Sequence, residues 1–183
     1  MDEDDDLLTK MRCAETLEEY MALRTFIFVH HYAGPEDPLS KALVAEAKDR
    51  NIRLRVISVE KMSGTGDLLE DQPFKDHMLW AQRGHIDGYH GGFPCGTFSR
   101  LRHRHEPGMP TPVRSKEEPY GKKTNTKAQQ EDCDRGTIMA CRAIQMAHYI
   151  ATRKKGGRIK SIATLENPPP SEVEVHLSAW ELP

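Results

Sequence analysis

Between Tyr89 and Arg102 the chain reads YHGGFPCGTFSRLR, and Cys95 is the residue in that stretch best suited to chemistry. A thiol reacts as its thiolate. A free cysteine has a pKa of about 8.5, which a helix start or a nearby cation lowers. Gly91, Gly92 and Gly96 provide tight turns around Cys95, and Arg100 and Arg102 bring positive charge behind it. Most lone cysteines are small buried core residues, and a core residue needs none of this setting.

Four other stretches carry reactive or ligand-binding residue types. TLENPPPS places Glu166 and Asn167 ahead of a proline run. A carboxyl there can donate a proton or orient a base, or it can cap a turn. Glu60 closes LRVISVE, where an acid can accept hydrogen bonds from a ribose diol or stand in solvent. GTGDL offers Asp67 as a helix cap or as a contact for an amide or amine. YAGPEDP offers Gly34, a point where backbone can approach a cofactor, although no GxGxxG pattern follows. There is no Ser-His-Asp spacing and no phosphate-loop lysine. Cys13, Cys95, Cys133 and Cys141 show no CxxC pairing. The nine histidines, including His30, His31, His103 and His105, lack a metal-ligand pattern, so no metal is expected.

The elements that must position these residues are legible in the apolar pattern. TFIFVHH (25–31) reads as a strand buried on both faces at its start. Asp37 can cap a helix that has Pro38 in its first turn and Leu39, Leu43 and Ala47 on one stripe. LRVISVE (54–60) is a second strand, HMLWAQRG a helix end closed by Gly84, and IDGYHGG (86–92) a third strand. Residues 100–127 form a long basic loop. A long helix follows over 128–155, with Met139, Ala143, Met146 and Ile150 in register, and RIKSIATLE (158–166) is a fourth strand. CAETLEEYMAL reads as a short helix, and EVEVHLSAWELP shows no assignable element. Alternating strands and helices predict an α/β fold with a parallel sheet. Ligands of such sheets bind beyond the carboxyl ends of the strands. HHYAG, VE, HGGFPC and LENPPP all fall there.

Charge is uneven along the chain. Residues 1–20 carry eight acids and two bases and read as an acidic flexible tail, which is not a secretory signal. Residues 100–127 carry eight Lys/Arg and three acids, and 153–160 carry five bases and no acid. Basic segments of this kind suit a local anionic partner, or else a solvated loop. No apolar run approaches the roughly 20 residues that span a bilayer, so no membrane partner is expected. A reduced, intracellular setting is expected, nuclear if the source is eukaryotic.

Taken in order, these motifs resemble the catalytic core of DNA (cytosine-5)-methyltransferases. Tyr32-Ala33-Gly34 is similar to the family's F-A-G-x-G turn, Glu60 to its strand-end acid, and Gly66-Asp67 to its G-D pair. GFPCGTFS (Gly92 to Ser99) matches every fixed position of the G-F-P-C-x-x-F-S nucleophile motif. DRGTIM (Asp134 to Met139) is similar to an R-G-T-L segment, and Glu166-Asn167 to E-N-V with Pro168 in place of valine. The resemblance covers roughly residues 25–170. It implies a Rossmann-like, S-adenosylmethionine-dependent methyltransferase fold with a mostly parallel sheet, truncated after the fourth or fifth strand, over residues 21–183. It implies that Tyr32, Ala33, Gly34, Glu60, Asp67, Leu68 and Pro94 hold S-adenosylmethionine, and that Ser99, Arg100, Arg102 and Arg104 contact DNA. It implies methyl transfer to C5 of a flipped cytosine. Cys95 would attack C6, Glu166 would bond N3 and the exocyclic amine, and Asn167 would hold the turn.

The departures from the family carry their own expectation. His30 stands where the family has aspartate, and PEDP replaces the second glycine of the first motif. The family's later strands, arginine-rich motif and recognition domain do not follow Glu166-Asn167. A partner chain supplying recognition is one expectation. A catalytically inactive nucleic-acid or partner-binding module on a degenerate methyltransferase fold is the other. NPPP is also similar to the D/N-P-P-Y motif of adenine amino-methyltransferases, but Pro170 replaces the stacking aromatic.

Overall fold

The computed structural model describes residues 23–60, 66–99, 102, 108, 110–152, 161–167 and 177–182. The acidic tail, nearly all of CAETLEEYMAL, Arg100, Arg104, the basic stretch 153–160 and the proline run after Asn167 lie outside the described residues.

The elements run β1 (Thr25–His31), α1 (Pro38–Asp49), β2 (Arg53–Val59), α2 (Asp71–Arg83), β3 (Gly88–Gly91), α3 (Lys127–Thr152), β4 (Ile162–Leu165) and a 3-10 turn (Ala179–Glu181). The four strands form one parallel sheet in the order β2-β1-β3-β4. The chain steps from β1 to β2 on one side, then crosses back over β1 to β3 and β4. The reversal makes the carboxyl ends of β1 and β3 a topological switch point, where loops leave in opposite directions and a crevice opens. Both glycine turns singled out in the sequence lie there.

Side-chain alternation sorts the strand residues onto two faces. Ile27, Val29, Ile57, Tyr89, Ala163 and Leu165 face α2 and α3, and pack with Ala81, Met146 and Ile150 as the main core. The opposite face carries Phe26, Phe28 and Leu54 beside α1. Burial along β1 deepens toward its end rather than its start. Thr25 is exposed and Phe26 buried, Ile27 and Phe28 are half-buried, and Val29, His30 and His31 form an unbroken buried run. The reason is pairing: β3 flanks only Phe28 to His31, so the first residues of β1 have a neighbour on one side alone.

Each helix has a local cause. Asp37 caps α1 by accepting from Ser40 N–H at 3.1 Å, with Pro38 in the first turn. Gly84 closes α2 in the left-handed conformation at φ 76°. At α3, Thr126 and Gln129 form a reciprocal cap: Gln129 N–H reaches Thr126 Oγ1 at 3.3 Å, and Thr126 N–H reaches Gln129 Oε1 at 2.8 Å. Glycine within a helix costs about 1 kcal/mol relative to alanine, and Gly136 in α3 has a packing reason. A Cβ there would lie 2.7 Å from Thr97 Oγ1, so its absence lets the helix seat the Cys95 loop.

Residues 110–126 contain neither helix nor strand but are anchored. Arg114, part of the basic count that suggested an anionic partner, is buried. Its guanidinium lies 4.2 Å over the Phe98 ring and donates to the carbonyls of Pro119 and Cys133 and to Thr137 Oγ1. Burial lowers its pKa, partly offset by Cys133 and Asp134. Among the described residues no helix is long and apolar enough to cross a membrane.

Candidate active site

The switch point opens into a cleft of about 770 Å³. Cys95, Glu166 and Asn167 line it together, with Tyr32, Ala33 and Pro94. Cys95 is half-buried at the first position of a turn closed by Phe98 N–H to Cys95 C=O at 2.8 Å. The turn sits on packed side chains. Phe93 and Phe98 are buried against Ala140 and Ala143 of α3 and against Ala179. Trp180 meets Phe93 edge-on at 6.1 Å. The end of β4 is tied to the same loop. Glu166 N–H donates to Gly91 C=O at 3.0 Å, and Asn167 Nδ2 reaches Phe93 C=O at 3.5 Å. Asn167 Oδ1 is buried with no hydrogen-bond partner among the described residues.

A second cleft, about 250 Å³, adjoins the first. Tyr32 and Pro94 line both, so they form the shared wall. Its polar groups include Glu60, Asp67 and Arg135, and its apolar walls include Val59, Leu68 and Met139. Gly66 lies at φ 149°, where an added Cβ would come within 3.1 Å of Val59 Cγ1. Arg142 of α3 fixes this rim by donating to Leu68 C=O at 2.6 Å, to Glu70 C=O at 2.9 Å and to the Asp71 carboxylate.

Gly34 lines neither cleft. It is at φ 73° with open space where a Cβ would be, so the glycine serves the left-handed turn. Its N–H donates to Glu60 Oε2 at 3.1 Å, which ties the β1 turn to the end of β2. Tyr32 is itself left-handed, at φ 61°. Its hydroxyl donates to Met139 C=O at 3.2 Å, and burial raises its pKa, opposed by Arg142 and aided by Asp67. Ser99 and Arg102 border a separate narrow crevice. Arg102 donates to the carbonyls of Gly96 and Thr111, so part of its hydrogen bonding braces the cysteine loop.

The sequence reading missed a polar row under the large cleft. Ser58, His30, His90 and Thr164 are in register on β2, β1, β3 and β4 and share the α1 face of the sheet. His30 and His90 meet edge-on at 5.0 Å, and both line the cleft. Asp37 holds one end of the row, at 2.8 Å from His30 Nδ1 and bonded to the Ser58 hydroxyl. Burial would raise the Asp37 pKa, but hydrogen bonds from Ser58, Ser40 and His30 hold it below the usual range. His90 holds the other end, with Nδ1 2.9 Å from Thr164 Oγ1 and Nε2 3.7 Å from Glu166 Oε2. Burial and His30 lower the His90 pKa, and Glu166 opposes them. Each row member is the last residue but one of its strand, a regularity that appears only once the strand limits and their register are known.

Among the described residues no group of three metal-ligating side chains is present. Comparison with family models, with curated proteins and with solved structures returns no match to this chain.

Proposed function

We propose that this chain is the catalytic core of an S-adenosylmethionine-dependent cytosine-5 methyltransferase, with a Rossmann-like fold and DNA as substrate. One observation carries the reading: Cys95, Glu166 and Asn167 line one cleft, Glu60, Asp67 and Leu68 line the next, and Tyr32 and Pro94 divide them.

The small cleft suits the cofactor's nucleoside. Two carboxylates offer acceptors for a ribose diol and an adenine amine, and Val59, Leu68 and Met139 offer apolar walls for the ring. When bound, the cofactor supplies an electrophilic methyl group carried on a sulfonium. In the large cleft, Cys95 adds to C6 of a flipped cytosine. Glu166 bonds N3 and the exocyclic amine and accommodates the charge that develops there. Asn167 holds the loop at Phe93 and presents a buried acceptor. Addition makes C5 nucleophilic. C5 would take the methyl carbon as its bond to the sulfonium breaks, leaving the cofactor as a neutral thioether. Loss of the C5 proton to a water-borne base, cleavage of the C6–S bond to release the Cys95 thiolate, and return of any N3 proton to Glu166 restore the aromatic ring.

The test is transfer of labelled methyl groups from S-adenosylmethionine to duplex DNA, with and without candidate partner chains that could supply DNA recognition. Transfer abolished by Cys95→Ser supports the reading. Absence of transfer under every combination counts against it.

A second reading is a non-catalytic nucleic-acid or partner-binding module. It is favoured by the altered first turn, in which the Glu60 carboxylate already accepts from Gly34 N–H and PEDP replaces the family's second glycine. It expects salt-sensitive nucleic-acid binding without cofactor binding. Calorimetry with S-adenosylmethionine separates the two.

A further inference from the structure

The hydroxyls of the polar row fix what its two histidines offer to the large cleft. A hydroxyl has one proton to give. Thr164 gives its proton to Tyr89 C=O at 3.2 Å, so Thr164 Oγ1 accepts from His90 Nδ1 at 2.9 Å. At the other end, Ser58 gives its proton to the Asp37 carboxylate, so the Ser40 hydroxyl, 3.0 Å away, donates to Ser58. His30 Nδ1 then faces two acceptors, Asp37 Oδ1 at 2.8 Å and Ser40 Oγ at 3.2 Å. Both rings therefore carry hydrogen on Nδ1, and in the neutral rings both Nε2 atoms are bare lone pairs. The Nδ1 atoms are held outward, toward the β2 side for His30 and toward β4 for His90, so the rings turn their Nε2 edges toward each other across centroids 5.0 Å apart. Gly92 leaves the space beyond His90 open. Its missing Cβ would lie 3.6 Å from His90 Nε2, 3.9 Å from Glu166 Oε2 and 3.9 Å from Tyr32 C=O. Each of these atoms offers a lone pair, and lone pairs gathered about one space repel until positive charge lies among them.

We infer that His30, His90 and Glu166 form a binding site for a divalent cation of the zinc class, with Asp37 and Thr164 orienting the two imidazoles from behind. Two imidazoles select zinc, copper or nickel over calcium and magnesium, which take oxygen ligands. Ligating histidines give their other ring N–H to a carboxylate or another acceptor, and His30 and His90 both do so. At metal–ligand distances of about 2.0 Å, two ligands of one tetrahedral ion stand roughly 3.3 Å apart. His90 Nε2 and Glu166 Oε2 are 3.7 Å apart, and the Glu166 side chain is 80% exposed, so the carboxylate is free to close on an ion by rotating in solvent. The histidine pair is thus the fixed part of the site and the carboxylate the movable part. The three groups do not meet on one point until Glu166 turns in, and water takes the remaining position, the arrangement of an open zinc site. On the methyltransferase reading, ion and base would compete for Glu166, but the site itself does not rest on that reading.

The test uses the whole chain, stripped of metal, with ZnCl2 as the probe. In NMR with 15N-labelled histidine, His30 and His90 are expected to carry hydrogen on Nδ1 before zinc is added, and their two Nε2 resonances to move together as zinc is titrated in. In calorimetry, zinc binding is expected to weaken at least about tenfold in His90→Asn. Gly92→Ala keeps every ligand and places a methyl group in the open space at ordinary contact distances, so it is expected to weaken binding by a similar factor and serves where His90→Asn does not fold. Hydrogen on Nε2 of either ring, zinc that leaves the two Nε2 resonances unmoved, or an affinity unchanged in the variants overturns the site. None of these readouts uses methyl transfer, so a chain that binds zinc in this way and transfers no methyl group would place the failure on the methyltransferase reading and leave the cation site standing.

Discussion

Lowering the pH from 7.5 to 5.5 is expected to destabilise the fold through His31. The ring is fully buried, stacked on His77 at 5.0 Å, with Nε2 2.8 Å from His77 Nδ1 and Nδ1 3.3 Å from the Tyr89 hydroxyl. A neutral ring satisfies both contacts with one donor and one acceptor. Burial first, then the neighbouring His77 and His30, holds its pKa well below the ordinary 6.5. In the unfolded chain it titrates near 6.5. Between the two values the unfolded state binds the extra proton, so stability rises with pH. The contribution is fully present above pH 6.5 and is lost as the pH falls below it. One such histidine loses about 1.4 kcal/mol between pH 7.5 and 5.5. For a chain of this size that is a fall in Tm of roughly 3–5 °C. Burial also lowers the pKa of His77, which adds in the same direction. Asp37, held below its usual range, does not titrate in this window. The assay is urea denaturation followed by circular dichroism at pH 7.5, 6.5 and 5.5 and constant ionic strength. His31→Leu is read for its slope rather than its absolute stability, and its slope is expected to be flatter. Equal stability of the native chain at pH 5.5 and 7.5, or an unchanged slope in His31→Leu, would refute the reasoning.

Three further outcomes follow from particular contacts. Gly136→Leu places side-chain atoms where even a Cβ would lie 2.7 Å from Thr97 Oγ1, and should destabilise by about 1–3 kcal/mol in denaturant unfolding. Arg142→Ala frees the carbonyls of Leu68 and Glu70, and should weaken S-adenosylmethionine binding about tenfold by calorimetry. Thr126→Ala removes one half of the α3 cap and should cost about 1 kcal/mol in thermal melts, while Thr126→Ser should cost less.

The sheet was legible because its strands are short β-branched runs separated by helices with clear caps. Phe26 to Val29, the Asp37-Pro38 start and the Gly84 stop each carry a local signal that tertiary packing did not override. Strand limits were less legible. IDGYHGG and the described part of RIKSIATLE (161–166) each contribute four strand residues, because β3 pairs β1 and β4 over that length among the described residues. The gathering of Cys95 and Glu166 in one cleft followed from the rule that the carboxyl ends of parallel strands share an edge. The polar row was not found, because His30, Ser58, His90 and Thr164 are far apart in sequence and acquire meaning only through register. The 3-10 turn at Ala179–Glu181 was missed because three residues carry no period, although Ser178 and Glu181 form a capping box. Arg114 read as a surface charge because composition cannot show that Phe98 and two carbonyls surround it.

The central claim is that Cys95 is a nucleophile toward cytosine C6. It is tested most directly by incubating the protein and candidate partner chains with S-adenosylmethionine and duplex DNA containing 5-fluorocytosine. The fluorine at C5 blocks the final elimination and traps the adduct. The account predicts a denaturation-resistant protein–DNA complex whose cross-link maps by peptide mass spectrometry to Cys95, and which is absent in Cys95→Ser. Tight cofactor and DNA binding with no adduct, or an adduct at another residue, would contradict it.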